Sequence, residues 1–111
     1  MFGFFNKTKN WQDLDASEFA TGIEDKEAIL LDVRTKDEFN SGHIPGAKHM
    51  DIMGGNFSAQ ISSLDKDKSY FVYCLSGGRS SSACGAMASQ GFTKLHNLRG
   101  GISAWRGKKV V

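Results

Sequence analysis

An unbroken apolar run that ends in an acid, Ala28-Ile29-Leu30-Leu31-Asp32-Val33, leaves this chain few folds. Six residues are too few for a stable helix. A strand without polar alternation must be covered on both faces, as strands of a parallel sheet are. The segment Ser69-Tyr70-Phe71-Val72-Tyr73-Cys74 repeats the demand with aromatic residues and valine. Parallel strands need crossovers, and helical patterns stand between the apolar runs. Alternating strands and helices imply an open parallel α/β sheet covered on both faces.

The remaining elements fit around these two. Trp11 to Leu14 reads as a short first strand. Asp15 is an N-cap with Glu18 placed to close a capping box, and Ala16, Phe19, Ala20 and Ile23 follow at helical spacing, giving a helix over roughly Ala16–Glu24. Thr35 caps a short helix through Phe39, which Gly42 stops. His43 to Ala47 is a turn, Lys48 to Asp51 a short strand, and Phe57 to Leu64 a helix with Phe57, Ile61 and Leu64 on one face. A helix over Ser80 to Gln90 ends at Gly91; a last strand, Lys94 to Leu98, and a last helix, Gly101 to Arg106, follow. The 111 residues suffice for one core, divided as an extension (1–8), a domain (9–108) and a tail (109–111).

Composition excludes more than it selects. A net charge of +2, with basic residues scattered, argues against nucleic acid; Lys108-Lys109 reads as a solvated pair. No apolar run approaches the ~20 residues of a membrane span. The start, Met1-Phe2-Gly3-Phe4-Phe5, lacks the basic and long apolar regions of a signal peptide, so a cytoplasmic address is expected, with these Phe residues packing on the domain or on a neighbouring chain. Two cysteines, Cys74 and Cys84, make no disulfide framework and lack metal-ligand spacing, so free thiols and no metal are expected. No cofactor is called for.

The chemistry gathers at Cys74. In an open α/β sheet, ligands bind beyond the carboxyl ends of the strands, and Cys74 stands at such an end. Leu75-Ser76-Gly77-Gly78-Arg79-Ser80 carries the chain from that strand into a helix. The glycines permit a tight turn with positive φ. Such a loop aims several backbone N–H groups into one concavity, and the helix dipole adds partial positive charge. A thiol there ionises more readily than a free one, and an anionic sulfur bound to it is held by the same donors. A buried inert cysteine is the plainer reading, but the coincidence of glycine pair, Arg and helix start favours a nucleophile in an anion hole.

Tyr73-Cys74-Leu75-Ser76-Gly77-Gly78-Arg79-Ser80 resembles the active-site loop of rhodanese domains. Leu31-Asp32-Val33-Arg34 with Glu38-Phe39, Gly42-His43-Ile44-Pro45-Gly46-Ala47, and Leu98-Arg99-Gly100-Gly101-Ile102 with Trp105 resemble the remaining signatures of that family, in order, from Trp11 to Trp105. The resemblance implies a three-layer α/β domain with a five-stranded, mostly parallel sheet. It also implies transfer of a sulfane sulfur through a Cys74 persulfide, from a donor such as thiosulfate to cyanide, a thiol, thioredoxin or another acceptor protein. Four residues separate Cys74 from Arg79. The related cysteine phosphatases have five and usually a His before the cysteine, where Tyr73 stands, so phosphatase and arsenate reductase are the weaker readings. Domains of this kind also serve as non-catalytic interaction modules or as dedicated protein-to-protein sulfur carriers; the presence of Cys74 argues against the first.

The supporting residues carry two meanings each. Arg79 either attracts an anionic donor or pairs with an acid and braces the loop. Ser76 either bonds the outer sulfur or is simply small. By resemblance Asp32 braces the catalytic loop and Arg34 pairs with Glu38. A catalytic-base role for His43 is disfavoured, since an ionised thiol needs none. Cys84, with Ala83 and Met87 on one helical face, reads as core rather than as a resolving thiol.

Overall fold

The structure, a computed structural model, describes residues 9–111; the Phe-rich start and the 1–8 extension lie outside the described residues. Five strands form one sheet: β1 (Gln12–Leu14), β2 (Ala28–Asp32), β3 (Lys48–His49), β4 (Ser69–Tyr73) and β5 (Leu95–Leu98). Their order is β1-β5-β4-β2-β3, and every pairing is parallel. Four helices accompany them, α1 (Ala16–Gly22), α2 (Lys36–Ser41), α3 (Phe57–Ser62) and α4 (Gly78–Ser89).

The apolar runs behave as a strand of period two requires. On β4, Tyr70 and Val72 enter one core, with Cys74 just beyond the strand, while Phe71 and Tyr73 enter the other. On β2, Leu31 joins the first and Leu30 the second. The first core is closed by Phe57 and Ile61 of α3 and by Ala83, Cys84 and Met87 of α4. The second is closed by Phe19 of α1, Ile44 and Ile102. Phe19 and Leu31 are wholly buried; truncating either to Ala removes side-chain burial of about 3–5 kcal/mol for Phe and 2–5 for Leu.

The capping box forms at Asp15 with Glu18, and a second one forms at Thr35 with Glu38. The predicted elements are all present, with shifted ends. β3 is two residues long, although beyond it the Met50 N–H still donates to the Asp32 carbonyl at 2.9 Å and the Ile52 N–H to that of Val33 at 3.1 Å. α4 starts at Gly78 rather than Ser80, since Gly77 takes the left-handed N-cap position at φ +110°. The expected last helix is a single 3-10 turn, Gly101–Ala104, with Gly100 and Gly101 both at positive φ. The tail is tied in: the backbone of Val110 exchanges two hydrogen bonds of 2.8 Å with that of His43. Lys108 and Lys109 are exposed, as expected of a solvated pair.

Candidate active site

β4 delivers Cys74 to the carboxyl end of the sheet centre, where the chain turns at Gly77 into α4. Cys74 is 1% exposed, so only the mouth of the loop reaches its sulfur. The Gly77 N–H donates to Sγ at 3.1 Å and the Ser80 hydroxyl lies 3.3 Å away. Burial alone pushes this thiol up. The Ser80 hydroxyl and the N–H groups of Ser80, Gly77 and Ser76 outweigh it and bring Cys74 below its ordinary value. The loop thus aims the N–H groups of Ser76, Gly77 and Ser80 at one sulfur.

Leu75, 46% exposed, forms an apolar rim, and Ser76 and Gly78 are exposed beside it. Arg79 grips Glu38 of α2 with two bonds, Nη1 to Oε1 at 2.8 Å and Nη2 to Oε2 at 2.9 Å. The pair fastens the first turn of α4 to α2, so Arg79 braces the loop. Arg79 above all, with Thr35, holds the Glu38 carboxyl down at about 2. That value lies below the usual 4.5, so the pair adds stability above pH 4.5 and loses it as pH falls through about 2. Glu38→Gln is expected to cost about 1 kcal/mol at neutral pH and to flatten the acid limb of stability in urea unfolding between about pH 5 and 2. An unchanged acid limb would show that the pair contributes nothing.

One expected contact is replaced. Arg34 does not pair with Glu38; it takes both oxygens of Asp32, with Nη2 2.7 Å from Oδ2, and also reaches the carbonyl of Gly42 at 2.7 Å. The reason is reach: two residues past Asp32, the guanidinium folds back over the buried carboxylate and above the Tyr73 ring. Asp32 and Arg34 thus brace the end of β2 and the Gly42 turn, and Arg79 with Glu38 ties the Cys74 loop to α2.

The second support of the loop is the Gly100-Gly101 turn after β5. Ile102 N–H donates to the Cys74 carbonyl at 2.9 Å and Ser103 N–H to that of Leu75 at 3.1 Å. The glycine pair was visible in the sequence, but its function as a backing for the loop was not. Asn97, 3% exposed and hydrogen-bonded to Ser80, gave no signal at all, because a lone Asn in a short strand has none. His43 bonds the Phe39 carbonyl through Nδ1 at 2.9 Å and stacks on that ring, a structural task.

Cys84 is wholly buried in the core, unpaired, and pushed up to about 12 by burial. Cys84→Ala is expected to lower stability by about 1 kcal/mol and to leave Cys74 reactivity within twofold, measured by peptide-resolved alkylation. A Cys74–Cys84 disulfide on mild oxidation, with reactivity lost in that variant, would restore the resolving role.

A parallel α/β sheet with a cysteine cradled by N–H groups between a central strand and a helix defines a class of α/β domain with a thiol at the carboxyl edge of its sheet. The rhodanese-like domain family model matches residues 15–108, and the chain belongs to that family. It is 43% identical over 84 residues to a putative sulfurtransferase, YtwF, of Bacillus subtilis (strain 168), covering 76% of this chain and 79% of that one. It is 35% identical over 89 residues to the thiosulfate sulfurtransferase GlpE of Pseudomonas fluorescens (strain SBW25), covering 80% of each. Among solved structures, the rhodanese-like domain of an Anabaena protein superposes with a TM-score of 0.78 at 31% identity, over 88% of this chain and 77% of that one. Among the described residues, no helix is long and apolar enough to cross a membrane.

Proposed function

We propose that this chain is a rhodanese-type sulfurtransferase in which Cys74 carries the sulfur. The observation that supports it is the set of donors converging on Cys74 Sγ, from Ser76, Gly77 and Ser80. The Cys74 thiolate attacks the sulfane sulfur of a donor such as thiosulfate. The new S–S bond forms as the donor's S–S bond breaks, and sulfite leaves with the electron pair. Cys74 is left as a persulfide whose outer sulfur is negative. The loop N–H groups hold that charge as an oxyanion hole holds oxygen. An acceptor, cyanide or a thiol (that of thioredoxin or another protein included), then attacks the outer sulfur, and the thiolate of Cys74 departs. This is covalent catalysis in two halves, with no residue needed as a separate base.

Arg79 is committed to Glu38, so attraction of an anionic donor falls to the N–H groups and the helix terminus. The apolar Leu75 rim suits a protein acceptor as well as a small one. The short reach from Cys74 to Arg79 favours one sulfur atom over a tetrahedral phosphate. Intact-protein mass spectrometry after thiosulfate treatment tests the reading. Gain of one sulfur atom, removed by cyanide as thiocyanate, is expected. No gain from any sulfane donor by folded protein would leave the interaction-module reading in its place. Cys74-dependent hydrolysis of an aryl phosphate without sulfur transfer would favour the phosphatase.

A further inference from the structure

Cys74, Ser80, Asn97 and Asp13 form a continuous row of polar contacts, and sulfur transfer uses only the first two. Asn97 stands on β5 between Asp13 of β1 and Val72 of β4, in register with both. Its side chain faces α4, where Ser80 is wholly buried.

The chemistry fixes the direction of each bond. Burial works against the charge of Asp13, yet bonds from Lys9, Asn97 and Trp11 hold its carboxyl below the usual range. A carboxylate only accepts, so Asn97 must turn Nδ2 toward it, at 3.0 Å, with Ser81 Oγ at 3.2 Å. The amide oxygen then faces Ser80. An amide oxygen has no proton to give, so the Ser80 hydroxyl donates to it in a short bond. Ser80 has one hydroxyl proton, and three acceptors surround it: Asn97 Oδ1 closest, the Gly77 carbonyl at 3.2 Å and Cys74 Sγ at 3.3 Å.

We propose that Asn97 is a positioning residue that holds the Ser80 proton away from Cys74 and surrenders it only when the sulfur becomes a thiolate. The proposal rests on reading Cys74 as the sulfur carrier. In the resting thiol, Cys74 S–H donates to Ser80 Oγ and Ser80 donates to Asn97. On ionisation the Cys74 proton leaves to water, the Ser80 hydroxyl turns to the sulfur, and the buried Asn97 oxygen loses its donor. That loss counts against the thiolate. In the persulfide the charge sits on the outer sulfur, so Ser80 returns to Asn97. Asn97 therefore keeps the thiolate from becoming too stable to attack, since nucleophilicity falls with thiol pKa, and it favours the loaded form. Among the described residues, the charged groups around the row are the pairs Arg79 with Glu38, Arg34 with Asp32 and Lys9 with Asp13, and Arg99 of β5, which donates to the Asp13 carbonyl at 3.4 Å. Two further titratable neighbours are the Cys84 thiol of α4 and the Tyr73 phenol, both pushed up by burial.

The test is the pH profile of iodoacetamide alkylation at Cys74, resolved by peptide mass spectrometry from Cys84. Asn97→Leu is expected to lower the midpoint by about one pH unit, because the Ser80 proton becomes free for the thiolate. Asp13→Asn removes the forced orientation of the Asn97 amide and is expected to shift it the same way, by less. In a Ser80→Ala background both shifts should fall to under a third, since Asn97 acts only through that hydroxyl. A midpoint unchanged or raised by Asn97→Leu, or shifts of equal size without Ser80, would overturn the proposal. Should Asn97→Leu not fold, Asp13→Asn decides it by the same two criteria, being only 24% exposed but at the outer end of the row. Alkylation needs no sulfur donor. A chain that shows these shifts but takes up no sulfur contradicts the transferase reading and leaves the Asn97 row standing.

Discussion

Cys74→Ser is expected to fold normally and to lose sulfur uptake and transfer, by on the order of a thousandfold or more. The substitution changes one buried atom, and the Ser hydroxyl accepts the Gly77 N–H as the sulfur does at 3.1 Å. Stability should therefore stay within about 1 kcal/mol of the parent. The chemistry does not survive. The cradle brings a thiol below its ordinary value, but an alcohol starts far above that range and stays protonated at neutral pH. Oxygen also forms no counterpart of the persulfide. Thiocyanate production from thiosulfate and cyanide, and the mass gained from thiosulfate alone, measure the two halves of the reaction separately. Retention of either by the variant would remove Cys74 from the mechanism.

Gly101→Ala is expected to slow transfer strongly, although Gly101 lies outside the Cys74 loop. Its φ is +62°, and an added Cβ would lie 2.2 Å from the Leu75 carbonyl oxygen, 2.3 Å from its carbon and 2.5 Å from the Ser76 nitrogen. All three are backbone atoms of the Cys74 loop, so no side chain can swing aside. Either the loop or the Gly100-Gly101 turn must move, against the bonds that Ile102 and Ser103 make to Cys74 and Leu75. A shift of about 1 Å in groups that hold the reacting sulfur costs on the order of 100-fold in rate. The backbone conformation itself adds roughly 1–3 kcal/mol of lost stability. Gly46→Ala is the control. Gly46 also has positive φ, at +87°, but a Cβ there meets nothing within 4 Å. It should lose stability in urea unfolding while keeping its transfer rate. Equal rate losses in the two variants would show that the loop tolerates displacement and that strain alone was being measured.

Much of this protein is legible in one dimension because its signals are local. Two short apolar runs, Ala28–Val33 and Ser69–Cys74, force strands buried on both faces, and so a parallel sheet with helices on either side. The capping box at Asp15 needs only residues three apart. Cys74, followed at once by a glycine pair and a helix start, announces an anion cradle, because those N–H groups belong to its own loop. The partners that steady the cradle come from elsewhere in the chain, and no spacing reveals them. Glu38 could have taken Arg34 or Arg79; the fold of Arg34 back onto Asp32 left it to Arg79. The turn at Gly101 lies against Leu75 only because β5 pairs beside β4. Asn97 meets Ser80 on one side and Asp13 on the other only because β5 lies between β4 and β1. The sequence by itself determined the sheet and marked Cys74 as the candidate nucleophile, since backbone geometry and hydrophobic burial act over a few residues. Only the tertiary structure decided which charges pair and which amide faces the Ser80 hydroxyl, since those depend on distances between segments far apart in the chain.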